Sequence, residues 1–186
     1  MRSPVIDFPS LVKKHEEKIK KIKVLAFDVD GILTDGRIWW QGDEVGWNRA
    51  FHSRDGYGLK VMQAAGFKVG VITGGNSMGI PKRFKENLGV DFVFSGMEDK
   101  RECFLEIKKM DGGYRDEEIL YMGDEHFDMP LLKKCGFAAT VPTASPEVFE
   151  VCDYVTTRDA GMGCAREVID LVRMVFKIGV QAKDFD

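Results

Sequence analysis

Six short apolar runs recur along the chain, at 23–28 (KVLAFD), 67–73 (FKVGVIT), 91–94 (DFVF), 118–122 (EILYM), 136–140 (GFAAT) and 153–155 (DYV). Segments with helical spacing separate them, at about 55–65, 77–88, 98–110, 126–134, 146–151 and 163–177. Strands joined through helices pair in parallel, because a tight hairpin can only join antiparallel neighbours. The runs are short and apolar, as in strands covered on both faces. The alternation therefore predicts an α/β fold: a doubly wound, Rossmann-like parallel sheet with helices on both sides. A short amphipathic helix at about 9–21 precedes the first run, opening at Pro9-Ser10, with its lysines and His15 read as a solvated surface.

One stretch breaks the alternation. Residues 36–52 (GRIWWQGDEVGWNRAFH) hold two β-like runs around Gln41-Gly42-Asp43, which reads as a β-hairpin inserted after the first strand. All three tryptophans of the chain, Trp39, Trp40 and Trp47, lie in it. So much aromatic surface is expected to pack on the body of the domain or on another subunit.

The 186 residues fit one domain over 1–186, with a polar tail at 178–186. Lys+Arg 27 against Asp+Glu 30 gives a net charge of −3, which argues against a nucleic-acid partner or an anionic membrane surface. Cys103, Cys135, Cys152 and Cys164 have no metal-ligand spacing and suit a reducing cytoplasm. No apolar run is long enough to span a membrane, and the first residues lack the apolar centre of a signal peptide.

Ligands of parallel α/β sheets sit beyond the carboxyl ends of the strands. There the chain places Asp28-Val29-Asp30-Gly31, Thr73-Gly74-Gly75-Asn76, Asp99-Lys100, and Gly123-Asp124-Glu125 with Asp128 one turn later. Asp28 and Asp30 point the same way if the backbone is extended. Carboxylates converging on one place repel unless a cation lies between them, and oxygen ligands favour Mg2+. Thr73-Gly74 offers a hydroxyl and backbone N–H groups for a phosphate. Lys100, at a helix start where a cation opposes the dipole, is suited to neutralise the aspartates and phosphoryl oxygens. His52 and His126 lack a third partner at zinc-ligand spacing.

At these residues the chain resembles the haloacid dehalogenase superfamily of aspartate-nucleophile phosphatases. Asp28 to Asp35 (DVDGILTD) looks like its first motif, Thr73-Gly74 the second, Lys100 the third, and Gly123-Asp124 with Asp128 the fourth, over about residues 22–175. More narrowly, a hairpin in place of a cap domain, FHSRDGYGLK (Phe51 to Lys60), YVTTR (Tyr154 to Arg158) and AREV (Ala165 to Val168) resemble the 3-deoxy-D-manno-octulosonate 8-phosphate phosphatase family. The resemblance implies that Asp28 is the nucleophile and Asp30 the general acid and base. It implies Mg2+ held by Asp28, the backbone carbonyl of Asp30, and Asp124. Thr73, Gly74 and Lys100 would hold the phosphoryl group, with Asp128 and Glu125 supporting the metal site from behind. It further implies a cytoplasmic homotetramer in which a neighbour's hairpin or tail helps close each site, and a phosphorylated sugar acid of lipopolysaccharide synthesis as substrate.

Three positions depart from that pattern: Gly75 where a basic residue usually follows the TG pair, Glu125 for a second Asp, and Met162 for a late arginine. Arg83, Lys82 or Arg54 is then expected to supply the missing basic contact. The rival substrate is a nonulosonate 9-phosphate of the sialic acid type. A receiver-type signalling domain shares the layout, but its phosphorylated Asp lies on a later strand than its acidic pair. A non-catalytic oligomerisation or regulatory module would have no physical need for the acid–lysine set.

Overall fold

The computed structural model describes residues 5–179. The expected tail therefore lies, from residue 180 onward, outside the described residues. Chain order is α1 (Phe8–Ile19), β1 (Val24–Phe27), the hairpin strands β2 (Trp39–Trp40) and β3 (Trp47–Asn48), α2 (Ser53–Ala64) and β4 (Lys68–Thr73). Next come α3 (Gly79–Pro81), which runs on into a wider coil at Lys82–Leu88, then β5 (Phe92–Ser95), α4 (Arg101–Lys109) and β6 (Ile119–Met122). The chain ends with α5 (Met129–Leu132), β7 (Phe137–Thr140), α6 (Pro146–Phe149), β8 (Tyr154–Val155) and α7 (Cys164–Val175). All six expected strands form.

The strands lie in the order β5-β4-β1-β6-β7-β8 and every neighbouring pair is parallel. The chain first steps from β1 outward to β4 and β5, then returns to β6 on the other side of β1. Crossovers between parallel strands are right-handed, so the two directions of travel put their helices on opposite faces. In accord with this, α7 packs against α1 and α2, while α4 packs against α5. The reversal at β1 opens a crevice where β4, β1 and β6 end, and that crevice receives the three acidic and hydroxyl-bearing turns.

Val24, Leu25, Ala26 and Phe27 are fully buried, as are Ile119, Leu120, Tyr121 and Met122 of β6. Truncating a side chain such as Phe27 to alanine would cost about 3–5 kcal/mol, most of it from the cavity left between the layers. The sheet is thus a rigid base for the loops at its carboxyl edge.

Two expectations are corrected and a third is narrowed. His15 is not a surface residue: α1 turns it inward, edge-on to Phe137 at 5.3 Å and Tyr154 at 5.9 Å, and burial pulls its pKa down. The helix begins one residue earlier than Pro9, because the Asp7 carboxylate accepts the Ser10 N–H and caps it. The hairpin forms, but its tryptophans do not pack on the body of the protomer. Trp39, Trp40 and Trp47 are 45%, 53% and 49% exposed. Strands of two residues pair only with each other, and Trp40 stacks edge-on against Trp47 at 5.5 Å. Arg49, at the returning end of the hairpin, is buried.

Candidate active site

Asp28 directly follows β1, and its N–H donates to the Met122 carbonyl of β6, so the ladder carries on to the nucleophile candidate itself. Beyond it the chain coils through Val29–Leu33, with Gly31 at φ +91°. A side chain on Gly31 would be strained by that φ and would land inside the Asp124 carboxylate. This coil corrects the expectation that Asp28 and Asp30 point the same way. The extended backbone stops at Asp28, so the two carboxylates enter different surroundings.

Asp28 faces the interior. Its Oδ1 accepts from the Val29 N–H at 2.7 Å and lies 2.8 Å from Lys100 Nζ. Its Oδ2 is buried without a partner. Lys100, which precedes α4, is fully buried and also donates to Asp128 Oδ1 at 2.6 Å, with Phe127 lying over its ammonium at 4.5 Å. Tyr121 donates to the same Asp128 oxygen at 2.6 Å. The other oxygen of Asp128 accepts the backbone N–H groups of Asp124 and Glu125, at 3.0 and 3.1 Å.

Asp28, Asp124 and Asp128 each bring a carboxylate oxygen within 4.8 Å of the others. The three are not equivalent. Asp128 has both oxygens engaged, whereas Asp28 Oδ2 and Asp124 Oδ1 are buried and unpartnered. Two orphaned carboxylate oxygens side by side fit a hard dication. Asp128 is better placed to steady Lys100 and the Asp124 turn than to bind metal.

The electrostatics agree. Burial, then the charge of Asp128, pushes the Asp28 carboxyl well above the usual range. Burial, then Asp128, lifts Asp124 to about 7. Burial opposes the charge on Lys100, but Asp28 and Asp128 outweigh it and hold the ammonium above its ordinary value. One lysine cannot offset three converging acids, two of them buried, and a dication would supply the missing charge.

Asp30 sits at the mouth, about one-third exposed at 32% of its side chain. Its Oδ1 pairs with Arg49 Nε at 2.7 Å and lies 3.4 Å from the Thr34 hydroxyl. Arg49 Nη1 donates to Ser77 Oγ at 2.7 Å. On the neighbouring strand end, Thr73 is buried and its Oγ1 accepts the Gly75 N–H at 3.0 Å, folding residues 73–75 into a turn beside Asp30. Next to Gly74, a Cβ would meet only Glu98, at 3.8 Å, so that backbone is open to a ligand.

Other expectations shift. The Glu125 carboxylate turns away from the acid cluster, accepting from Ser145 Oγ at 2.8 Å and from the His126 N–H at 2.7 Å; these bonds lower its pKa. Its backbone joins Asp128 twice, the N–H donating to Asp128 Oδ2 and the carbonyl accepting the Asp128 N–H at 2.9 Å. His126 pairs with Glu147 at 2.9 Å, and His52 Nδ1 accepts the Arg54 N–H at the start of α2. Of the three residues expected to supply a basic contact to the substrate, Arg83 donates to Asn87, while Lys82 and Arg54 are exposed. Arg49, which sequence reasoning did not single out, lies beside Asp30 and Gly75. Sequence reasoning also missed Tyr121, Ser77 and Thr34, whose side chains are ordinary in isolation. Tyr121 carried a weak signal, a polar tip in the centre of an apolar strand.

Comparison with known proteins yields a consistent picture. Residues 99–168 match the model of haloacid dehalogenase-like hydrolases. The 3-deoxy-D-manno-octulosonate 8-phosphate phosphatase of Escherichia coli K12 is 34% identical over 158 residues, 83% of this chain and 81% of that enzyme. The crystal structure of the Moraxella catarrhalis 3-deoxy-D-manno-octulosonate 8-phosphate phosphatase, in complex with magnesium, phosphate and KDO, superposes with a TM-score of 0.81. It is 32% identical, with 89% of this chain and 92% of that one covered. A Legionella pneumophila structure of a putative haloacid dehalogenase superfamily hydrolase gives 0.83 at 35% identity, with 93% of each chain covered. Identity at this level across most of both chains, on the same fold, means that this protein belongs to the 3-deoxy-D-manno-octulosonate 8-phosphate phosphatase family of haloacid dehalogenase-like hydrolases.

Proposed function

We propose that this chain is a Mg2+-dependent phosphomonoesterase that hydrolyses 3-deoxy-D-manno-octulosonate 8-phosphate through an aspartyl-phosphate on Asp28. The observation that carries the reading is the buried set of Asp28, Lys100 and Asp124 with its two unpartnered carboxylate oxygens. The family relationship supplies the substrate class.

Asp28 Oδ2 is the free oxygen, while Oδ1 is held by Lys100 and the Val29 N–H. Attack by Oδ2 on phosphorus forms the Asp28–phosphorus bond as the bond to the sugar oxygen breaks. Asp30, in its protonated form, gives the leaving oxygen its proton. In the second step Asp30 takes a proton from water, the water oxygen bonds to phosphorus, and Asp28 is released as a carboxylate with orthophosphate. Thr73, the Gly74 backbone and Lys100 hold the phosphoryl oxygens, where positioning and charge do most of the catalysis. Mg2+, held by Asp28, the Asp30 carbonyl and Asp124, supplies positive charge that offsets the phosphoryl oxygens. Asp128 and Tyr121 keep Lys100 and the Asp124 turn in place.

A nonulosonate 9-phosphate is the competing substrate, suggested by the departure from the family pattern at Gly75. A scaffold with no activity is disfavoured by the acid–lysine cluster, since buried ionised groups are costly and serve no purpose in a passive module. Residues 1–186 are read as a single catalytic domain, supported by the one continuous core among the described residues. Exposed tryptophans on the hairpin favour a homotetramer in which a neighbour's hairpin or tail helps close each site. Four free thiols favour a cytoplasmic setting, and no described helix is long and apolar enough to cross a membrane.

Phosphate release in Mg2+ buffer tests the reading, with 3-deoxy-D-manno-octulosonate 8-phosphate beside N-acetylneuraminate 9-phosphate and Asp28→Asn as the blank. Preferential turnover of the octulosonate ester is expected. Preference for the nonulosonate would move the substrate while keeping the chemistry. No release above the blank from either would remove the proposal. Light scattering on the wild type and on Trp40→Gln addresses the assembly: a tetramer that loosens in the variant is expected, and a monomeric wild type would contradict it.

A further inference from the structure

Among the described residues, Arg49 joins the hairpin to the catalytic turns. Its side chain is only 4% exposed, and its guanidinium is shared between two groups. Nε donates to Asp30 Oδ1 at 2.7 Å, and Nη1 donates to Ser77 Oγ at 2.7 Å. A Cβ built on Gly75 would lie 3.0 Å from Ile80 Cδ1, 3.1 Å from Nη2 and 3.2 Å from Asp30 Oδ2. These groups border a cavity of about 280 Å3 between the hairpin and the β4 loop, lined by Asp30, Trp47, Arg49, Gly75, Asn76 and Ser77. The two oxygens of Asp30 are thus distinguished: Oδ1 is taken by Arg49 and Thr34, and Oδ2 has no protein partner and faces Gly75.

We propose that Arg49 is a positioning residue for proton transfer: it grips one oxygen of Asp30, presents the other to the leaving group and the water, and leaves little room for a side chain at Gly75. The inference rests on the phosphatase reading above and adds to it the hairpin's part in the chemistry. A planar guanidinium with two engaged edges fixes the carboxylate plane, which a flexible point charge does not. Proton transfer depends steeply on such placement, since a displacement near 1 Å costs on the order of 10²-fold. The crowding at Gly75 follows from the same arrangement. A methyl there would press on Arg49 and on the working oxygen, although the backbone conformation at this position tolerates a side chain.

The test uses the full-length Mg2+-loaded protein and its Arg49→Ala, Arg49→Lys, Gly75→Ala and Arg49→Ala/Gly75→Ala variants. Each is assayed on the sugar phosphate and on p-nitrophenyl phosphate, with melting curves to confirm folding. For Arg49→Ala on the sugar ester, kcat should fall by about 10- to 100-fold while KM stays within about threefold. The loss on p-nitrophenyl phosphate should be clearly smaller, because that leaving group departs without a proton. Methylguanidinium in solution should restore Arg49→Ala saturably through the adjoining cavity. Gly75→Ala should lower kcat in the wild type and have little further effect without Arg49.

Four results would each overturn the inference: an unchanged kcat, a loss confined to KM, equal losses on both esters, or independent effects of the two sites. If Arg49→Ala does not fold, Arg49→Lys carries the same comparison, with partial activity and the same leaving-group dependence expected. Wild type active only on p-nitrophenyl phosphate would refute the substrate while leaving the Arg49–Gly75 coupling to be read on that ester. Wild type inert on both would refute the phosphatase reading and this inference with it.

Discussion

The interior and the mouth of the site are built on opposite terms. Inside, Asp28, Lys100, Asp128 and Tyr121 are fully enclosed, short in their contacts and mounted on the ends of central strands. At the mouth, Asp30 is partly solvated and is held by one residue of a hairpin whose own strands are two residues long. The interior has no freedom to vary, because removing any one charge strands another in a region without water. The mouth can exchange parts, and here Arg49 from the hairpin occupies the space beside Gly75. On the proposed mechanism, the chemistry is anchored in the sheet, while substrate fit and proton handling fall to the attached loop.

The contrast is most sharply tested inside. Asp28→Asn should reduce phosphate release by at least ~10⁴-fold, as for other covalent nucleophiles, while the protein stays folded. A residual rate within tenfold of wild type would place the nucleophile elsewhere. Lys100→Met should come next. Stranding Asp28 and Asp128 should cost about 3–5 kcal/mol in denaturant unfolding, along with most of the turnover. Stability equal to wild type would show that the cluster is less enclosed than described.

Tyr121→Phe removes the 2.6 Å bond to Asp128 and the longer one, at 3.3 Å, that the Tyr121 hydroxyl accepts from Lys100. A loss of about 1–2 kcal/mol is expected, with kcat down by less than tenfold. A larger kinetic effect would give Tyr121 a more direct part.

pH separates the regions by a different route. Asp124 sits near 7 in the metal-free protein and about 3.9 when unfolded, so the folded state binds the extra proton. The contribution of Asp124 to stability should thus be full below about pH 4 and be lost as pH rises through 7. Asp55, lifted to about 6 chiefly by burial, adds to the fall and is remote from the acid cluster. Saturating Mg2+ should raise the melting temperature more at pH 8 than at pH 5, with only the Asp55 share of the slope remaining. Equal Mg2+ effects at both pH values would count against Asp124 as a ligand. The smallest effect belongs to Glu125→Asp, whose carboxylate faces Ser145: turnover should stay within about threefold of wild type, and a large loss would restore it to the metal's surroundings.

The sheet was legible because each strand is a short apolar run and each crossover carries helical spacing, so local and global signals coincide. Asp28, Thr73, Lys100 and Asp124 were legible for the same reason, since topology alone sends strand ends to one edge. The orientation of Asp30 was not, because it depends on the coil at Val29–Leu33 and on a partner nineteen residues downstream. Nor was the burial of His15, which is decided by how α1 docks on Phe137 and Tyr154. The exposed tryptophans show the converse limit, as composition signals that a surface is to be covered without indicating by what.

The central claim is that Asp28 carries the phosphoryl group, and trapping that group tests it most directly. Protein mixed with radiolabelled 3-deoxy-D-manno-octulosonate 8-phosphate in Mg2+ would be quenched in acid within one turnover, digested and mapped by mass spectrometry. The account predicts a hydroxylamine-sensitive label on the peptide containing Asp28, absent in Asp28→Asn. A label on another residue, or full turnover with no labelled protein at any quench time, would contradict it.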